Sequence, residues 1–318
     1  MNTVSTIFIG SSIEGISSLE ALVAHPRFDI TAVITQPAKP VGRKKELAKT
    51  PINETASNLE LTIYTPQGGS DPLYEKIIVD HNPTVAVVIA FGQMIPKLFI
   101  DALPRGCLNV HYSLLPILRG AVPVQMSILQ GLTQTGVTIQ CMEESLDTGP
   151  ILAQQSIPIS SDDTTETLKE KLIPLGKDML LDTLPEWINS KITPVPQDHK
   201  KATYCQTADL SKENAQIFWE THSPAIIERM IRAFVPKPVA WTFLPNGSRM
   251  KIFEGSLEHT DEPTSHPGEI LKRTDCLYFV TNDSHTILKA TSVQLEGKSV
   301  TSGQDFIKGY RHDRMKPS

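Results

Sequence analysis

Seven consecutive apolar residues at 85–91 (Val-Ala-Val-Val-Ile-Ala-Phe) constrain the fold of this 318-residue chain more than any other feature. A strand can be apolar at every position only when both of its faces are buried, as in a parallel sheet covered by helices. Around this run, other short apolar runs alternate with amphipathic segments, the pattern of strands joined by crossover helices. The sequence therefore predicts an α/β domain with a parallel sheet.

Other elements follow from the spacing of apolar residues along the chain. In the first half we expect strands at 6–10, 30–35, 61–64, 107–111 and 136–141, and helices at 16–25 and 124–132. A further helix is expected at 174–187, interrupted by Gly176 and Pro185. In the last third we expect helices at 211–220 and 224–234, then short strands at 241–244, 250–253, 268–271, 277–281 and 286–295. Strands of that spacing, separated by turns, suit a small barrel.

The length of the chain indicates more than one hydrophobic core, so two domains are expected. Residues 192–201 are polar and rich in proline, which is typical of a linker. We therefore predict a catalytic domain at 1–191, a linker at 192–204 and a second domain at 205–318.

Composition narrows the class of protein. Apolar residues make up 40% of the chain and charged residues 20%, as in ordinary soluble proteins. No apolar run is long enough to span a bilayer, and the N-terminus lacks the basic flank of a secretory signal. The four cysteines are widely scattered with no Cys-x-x-Cys pair, which predicts reduced thiols, a cytoplasmic location and no metal site.

Three polar side chains at strand ends suggest chemistry. Asn109 and His111 lie two residues apart on a predicted strand, so their side chains share one face. The apolar run ends there, at the sheet edge where α/β proteins bind ligands. Asp147 follows another predicted strand and could reach the same edge. An amide donor, an imidazole and a carboxylate together suit acyl transfer to an amine.

The distribution of charge, and the turn after the first strand, indicate which ligands the protein can bind. The net charge of −5 argues against broad nucleic-acid binding, but residues 39–49 carry five basic side chains against one acidic. This stretch is either a solvated loop or a local contact for RNA phosphates. The first strand is followed by Gly-Ser-Ser-Ile-Glu-Gly at 10–15, which lacks the dinucleotide fingerprint and argues against a nicotinamide cofactor.

Three motifs carry a family resemblance: Asn109-x-His111-x-Ser113-Leu114-Leu115-Pro116, Arg119-Gly120 and Leu146-Asp147-Thr148-Gly149. Together they resemble the signature of the formyltransferases that use 10-formyltetrahydrofolate. The resemblance extends from about residue 5 to about residue 310. It implies a Rossmann-like formyltransferase domain followed by a small C-terminal OB-like β-barrel that binds tRNA.

Within this superfamily the chain is most similar to the methionyl-tRNA formyltransferases. Residues 36–45 resemble the family's basic loop, residues 91–96 its folate-pocket loop, and 203–204, 211–213 and 231–241 the entry to its C-terminal domain. The resemblance implies formylation of initiator methionyl-tRNA by a monomer that needs neither metal nor membrane. It also implies site residues: catalytic Asn109, His111 and Asp147; folate-binding Phe91, Gly92, Gln93, Met94, Ile95, Ser113, Leu114, Leu115 and Pro116; and tRNA-binding Lys39, Arg43, Lys44 and Lys45.

In the implied reaction Asn109 and His111 stabilise the alkoxide formed when the amine attacks the formyl carbon. Asp147 either accepts the amine's proton or supports a protonated His111. Two alternatives remain open. A formyltransferase for a nucleotide-linked amino sugar would share the three residues but has no evident need for the basic stretch 39–49. A non-catalytic tRNA- or folate-binding protein would need no proton shuttle beside an oxyanion donor.

Overall fold

The computed structural model describes residues 3–42, 46–264, 266–271, 273 and 275–309. Contacts divide the chain into two compact units. The first comprises Met1–Pro123, Gln134–Pro158 and Lys169–Cys205, and the second Val124–Thr133, Ile159–Leu168 and Gln206–Ser318. Two segments that precede residue 191 thus group with the second unit. The domain bounds at 1–191 and 205–318, with a linker at 192–204, stay a prediction.

The first unit is built on strands. In chain order they are β1 (Val4–Gly10), β2 (Phe28–Ile34), β3 (Lys39–Val41), β4 (Glu46–Ala48), β5 (Ile63–Tyr64), β6 (Val85–Ile89), β7 (Cys107–His111), β8 (Arg119–Gly120), β9 (Gln134–Cys141), β10 (Ile151–Pro158) and β11 (Tyr204–Cys205). All five residues of β6 are buried, which confirms the interpretation of the apolar run. The strand ends at Ile89 because Ala90 adopts a left-handed backbone, with φ of 46°.

Seven of these strands form one sheet in the order β10-β9-β7-β6-β1-β2-β5. The strands from β5 to β7 are parallel, as predicted. β9 runs antiparallel to β7, and β10 antiparallel to β9, so the sheet is mixed. Apolar runs indicate burial but carry no information about strand direction, which is why this edge was not foreseen.

Helices alternate with these strands along the chain. They are α1 (Ile16–Ala24), α2 (Pro51–Asn58), α3 (Leu73–His81), α4 (Lys97–Ala102), α5 (Pro123–Leu129) and α6 (Thr165–Ile188). The residues of α5 after Pro123, and those of α6 up to Leu168, group with the second unit. The interruption predicted at 174–187 is wrong, because α6 continues through both Pro174 and Pro185. A proline removes one helical hydrogen bond, but the burial of Leu172, Leu180 and Leu184 along the helix offsets that loss.

A buried ion pair fixes α6 to the turn after β1. Glu14 is 7% exposed, and Lys169 Nζ lies 2.5 Å from its Oε1. The Ser12 hydroxyl also donates to the carboxylate. Burial alone would raise the pKa of Glu14, but the Lys169 ammonium and these hydrogen bonds outweigh it and hold the pKa below its usual value.

We expect Lys169→Met to lower the free energy of unfolding by about 3 kcal/mol near neutral pH, because it leaves Glu14 buried without its cation. The lowered pKa makes this stabilisation fully present above the unfolded pKa of about 4.3 and lost as the pH falls through the folded value. Denaturant unfolding at pH 7 and pH 3.5 measures the loss of unfolding free energy and its dependence on pH. The exposed pair Lys76–Asp80 supplies the control, since Lys76→Met should have a much smaller effect. Equal losses at the two pH values would contradict this account.

The second unit is an antiparallel sheet with helices. Its elements are α7 (Pro224–Phe234), β12 (Ala240–Phe243), β13 (Arg249–His259), β14 (Leu277–Val280), β15 (Thr286–Leu295), β16 (Thr301–Ser302) and α8 (Gly303–Gly309). β12, β13, β15 and β14 pair in that order, and β16 pairs with β15. This sheet confirms the β-rich second domain, while its closure into an OB-like barrel stays a prediction.

Two elements predicted in the second unit are wrong. Residues 211–220 are not helical: Ala215, Ile217 and Trp219 are buried at every second position, as in an extended segment. Backbone bonds from Ile217 N to Trp241 O and from Trp241 N to Ala215 O hold this segment beside β12. The predicted strand at 268–271 is reduced to a single bridge between Ile270 and Phe279.

No helix in the described ranges is long and apolar enough to cross a membrane. Cys107, Cys205 and Cys276 are buried, and Cys141 is half-buried. Burial raises the pKa of the Cys141 thiol to about 12, so it is not a thiolate near neutral pH.

Candidate active site

Asn109 and His111 occupy the carboxyl end of β7, as the alternation of the strand predicts. β7 lies between β6 and β9, and Asn109 is directly opposite Gln140 in the antiparallel pair with β9. His111 is 5% exposed, whereas Asn109 is half-buried. The two side chains therefore point to one rim of the sheet, with the amide nearer to solvent.

One hydrogen bond defines the tautomer of His111. Its Nε2 lies 2.9 Å from the carbonyl oxygen of Leu118, which can only accept, so Nε2 carries a proton. Nδ1 then faces Asp147, at 3.7 Å from Oδ2. Nδ1 is therefore the ring nitrogen that is placed to exchange a proton with the carboxylate or with a bound substrate.

Asp147 brings the three residues together. Its Oδ1 accepts from Asn109 Nδ2 at 3.3 Å and from Gln140 Nε2 at 2.9 Å. Its Oδ2 accepts from the backbone N–H of Gly120 at 2.8 Å. All three donors are neutral and satisfy an ionised carboxylate without neutralising it, so its charge remains available to His111 or to a bound amine.

Two motif glycines make this arrangement possible. Gly120 has φ of 121°, and a Cβ there would overlap the carbonyl oxygen of Cys205. A Cβ on Gly149 would overlap the carbonyl oxygen of Cys141. Asp147 itself adopts a left-handed backbone, with φ of 52°. The glycines of the Arg-Gly and Leu-Asp-Thr-Gly motifs thus allow close backbone contacts on both sides of the carboxylate.

Sequence reasoning missed two residues of the site, Gln140 and Gln197. Gln197 Nε2 donates to Gln140 Oε1 at 3.2 Å and to the carbonyl oxygens of Asp147 and Gly149 at 2.9 and 2.7 Å. Gln197 lies in the predicted linker, which the structure attaches to the first unit through backbone bonds between Val195 and Ile151 and from Arg119 to Thr203. The only available signal was the amide side chain of Gln140 near the end of the predicted strand 136–141.

The residues expected to bind folate fall into two groups. Phe91, Ile95, Ser113 and Leu115 are buried, and the Ser113 hydroxyl donates to the carbonyl oxygen of Ile117. These buried side chains pack within the loops at 91–96 and 113–116. Gly92 and Met94 are exposed, with Met94 at 79%, while Gln93, Leu114 and Pro116 are half-buried. In the described part of the chain the buried Oε1 atom of Gln93 has no hydrogen-bond partner.

The basic stretch begins on a short hairpin of β3 and β4. Lys39 is exposed, and its Nζ donates to Gln36 Oε1 at 2.6 Å. Gln36 Nε2 in turn donates to the carbonyl oxygen of Phe91 at 2.5 Å, which joins the hairpin to the loop after β6. The other residues expected to bind tRNA, Arg43, Lys44 and Lys45, lie outside the described residues.

A cleft of about 300 Å³ lies beside the loop that leads to Asp147. Its lining consists of Lys97, Ile100, Asp101, Met142, Glu143, Glu144 and Ser145. Within the described ranges no group of three or more histidine, cysteine or acidic side chains is placed to hold a metal ion.

Residues 9–184 match the sequence profile of the formyl transferases, and residues 209–311 match that of the formyl transferase C-terminal domain. The chain belongs to the formyl transferase family. This membership confirms the resemblance carried by the motifs around Asn109 and Asp147.

Several relatives match this chain over nearly their whole length. A methionyl-tRNA formyltransferase of Enterococcus faecalis is 38% identical over 304 residues, which cover 95% of this chain and 95% of the relative. Another, of Roseiflexus castenholzii, is 39% identical over 309 residues, or 96% of each chain. Among solved structures, an N-formyltransferase of Helicobacter canadensis in complex with folinic acid and dTDP-3-aminofucose superimposes with a TM-score of 0.67. It is 21% identical, covers 91% of this formyl transferase and 99% of its own chain, and supports the fold alone.

Proposed function

We propose that this formyl transferase moves the formyl group of 10-formyltetrahydrofolate to the α-amino group of initiator methionyl-tRNA. The observation that carries the proposal is the convergence of Asn109, His111 and Asp147 at the end of β7. The identity of the acceptor is supported by the relatives named methionyl-tRNA formyltransferase, which match over nearly their whole length.

The chemistry assigns a role to each of the three side chains. Attack by the amine places negative charge on the formyl oxygen. Asn109 uses one amide hydrogen to bind Asp147, so its second hydrogen is available to that oxygen. His111, once protonated on Nδ1, adds a positive charge to the same site. A preorganised donor of this kind is typically worth about 3–4 kcal/mol of barrier.

Asp147 accepts the proton that the attacking amine releases. The amino group of an aminoacyl ester must be neutral to attack, and an ordinary α-amine has a pKa of about 7.7–8.0, so only a small part of the free energy barrier comes from deprotonation. The carboxylate then accepts the proton released by the amine, or shares it with His111 across the 3.7 Å gap. Return of that proton to the departing nitrogen of the donor completes the transfer.

The loop after β6 has features that fit a folate. A pterin ring carries several N–H donors, and the buried Gln93 Oε1, unpartnered among the described residues, is an acceptor of the kind such a ring needs. Exposed Met94 supplies an apolar, adaptable surface next to it. Gln93 and Met94 are therefore proposed as contacts of the formyl donor.

Gln93→Met should separate ligand binding from stability. An unpartnered buried oxygen destabilises the free protein, so its removal should leave the melting temperature unchanged or raise it. Loss of the acceptor should weaken binding of the folate about tenfold, which corresponds to about 1.4 kcal/mol. Thermal unfolding and calorimetric titration with 5-formyltetrahydrofolate measure the two effects. Gln155→Met, at an exposed position on β10, is the matched control. A lower melting temperature with unchanged affinity would exclude this contact.

The basic hairpin supports the choice of acceptor. Lys39 is exposed next to the loop proposed to hold the donor, and residues 43–45 extend the basic run. Each phosphate neutralised by such side chains adds affinity that falls with salt.

A cytoplasmic location also forms part of the proposal. It is supported by the free cysteines Cys107, Cys141 and Cys276, because disulfides are rare in that compartment.

The experiment that tests the acceptor offers two amines side by side. The protein is incubated with 10-formyltetrahydrofolate and either initiator methionyl-tRNA or a dTDP-linked amino sugar, and products are identified by mass spectrometry. We expect formylation of the methionyl-tRNA only. Formylation of the sugar alone would instead assign the protein to the sugar-directed branch of the family, and no product with either amine would remove the catalytic assignment.

A further inference from the structure

The charged side chain of Arg119 is buried among neutral hydrogen-bond partners. Its side chain is 1% exposed, and burial of a guanidinium carries a large desolvation penalty. In the described part of the chain it forms hydrogen bonds to Gln197, His199 and Tyr204 and no ion pair with a carboxylate. A charge kept buried against neutral partners indicates that its orientation serves another group.

The partner most strongly oriented by Arg119 is Gln197. Two guanidinium nitrogens, Nε at 3.2 Å and Nη2 at 2.7 Å, donate to Gln197 Oε1. A guanidinium has only donors, so the amide of Gln197 cannot turn round without placing its NH₂ group against them. Gln197 Nε2 must therefore point the other way, toward the loop that carries Asp147.

Gln197 in turn fixes the orientation of the Gln140 amide. Because Gln140 Oε1 accepts from Gln197, the NH₂ group of Gln140 is left to face Asp147, and it donates to Oδ1 at 2.9 Å. Gln197 also donates to the carbonyl oxygens of Asp147 and Gly149, which holds the left-handed backbone at Asp147 in place. Every bond from Arg119 to the carboxylate thus runs in one direction, and successive bonds of this kind strengthen one another.

We propose that Arg119, Gln197 and Gln140 are positioning residues that aim the Asp147 carboxylate at Asn109 and His111. These three residues form the relay. This inference rests on the proposed formyl transfer, because it assigns the relay to the carboxylate that handles the proton. The geometry would hold Asp147 in the same way for any amine acceptor.

The relay predicts which kinetic constant depends on it. A residue that only positions the carboxylate should affect the chemical step rather than the binding of the formyl donor, so kcat should fall while KM changes little when the relay is broken. The charged or titratable groups that contact Asp147 or Arg119 remain in place in the variants below. They are His111 on β7, and His199 and Tyr204 on the segment that ends in β11.

Two substitutions break the relay at different points. Gln140→Met removes the donor to Asp147 at similar volume. Gln197→Glu keeps the single oxygen that accepts both hydrogen bonds from Arg119, and adds an ion pair to it, but loses the NH₂ group that faces Gln140 and the carbonyl oxygens. Gln134→Met, at an exposed position on the same strand as Gln140, is the control. A folded Gln197→Glu protein is expected because the buried guanidinium gains a counter-charge.

The first readout is kinetic. We expect both variants to lower kcat about tenfold and to change the KM for the formyl donor by no more than about twofold. The Gln140→Met/Gln197→Glu double variant should be no slower than the worse single variant, because both changes break one chain. An unchanged kcat in either variant, or losses that multiply in the double variant, would overturn the relay.

The second readout needs no acceptor. Carbon NMR of labelled aspartate carboxyl groups, assigned with Asp147→Asn, reports the surroundings of the Asp147 carboxylate in the free protein. A shifted Asp147 signal in both variants, with the control unchanged, supports the relay, and the wild-type signal in both variants refutes it. Turnover by the wild-type protein tests the proposed function separately, so that failure of the transfer and failure of the relay give different results.

Discussion

Asp147→Asn should lower kcat for formyl transfer by about 10²- to 10⁴-fold, the range expected when a general acid–base group is removed. The variant loses the charge that accepts the proton of the amine. It also disturbs the hydrogen bonds, because an amide presents an NH₂ group where Asp147 now accepts from Gly120 on one side and from Gln140 and Asn109 on the other. At least one of these donors is left without an acceptor: Gly120 in one orientation of the amide, and both Gln140 and Asn109 in the other.

Folding controls decide how that loss is interpreted. Asp178→Asn, at an exposed position on α6 paired only with Lys177, should retain wild-type turnover. For Asp147→Asn we expect a modest drop in melting temperature, an unchanged far-ultraviolet spectrum and retained affinity for the folate. Turnover near the wild-type value in a folded Asp147→Asn protein would remove the carboxylate from the chemistry.

Asn109→Ala should reduce kcat by about 10²- to 10³-fold with little change in KM, because it removes the amide hydrogen that faces the developing oxyanion. Asp147 keeps two of its three donors in this variant, Gln140 and Gly120, so its position should be nearly preserved. Steady-state kinetics with both substrates measures the effect, and Asn58→Ala, at the exposed end of α2, is the control. A rise in KM with unchanged kcat would instead make Asn109 a binding residue.

Local pattern was sufficient for some parts of the site. The two-residue spacing of Asn109 and His111 predicts a shared face, and the structure confirms it because β7 covers the predicted residues, Cys107–His111. The position of Asp147 in a loop after a strand predicts access to the same rim, and the hydrogen bond to Asn109 confirms that too. Their catalytic roles stay proposals.

Contacts between residues that are far apart in the sequence could not be predicted from local pattern. Gln197 reaches the site from 50 residues beyond Asp147, and nothing in its own segment marks it. β10 was missed because it is an edge strand with an exposed polar centre, so it has little apolar periodicity. α6 was divided in the prediction because proline weakens a helix locally, whereas packing along its whole length maintains it.

The measurement that tests the central claim most directly is a single-turnover transfer from a preformed complex of protein and 10-formyltetrahydrofolate to initiator methionyl-tRNA. Protein is kept in excess so that only the chemical step and those before it are observed. We predict rapid formation of formylmethionyl-tRNA by the wild-type complex, and transfer slowed by about 10²-fold or more by Asp147→Asn while the folate remains bound. Transfer at the wild-type rate by the Asp147→Asn complex would contradict the assignment of this centre.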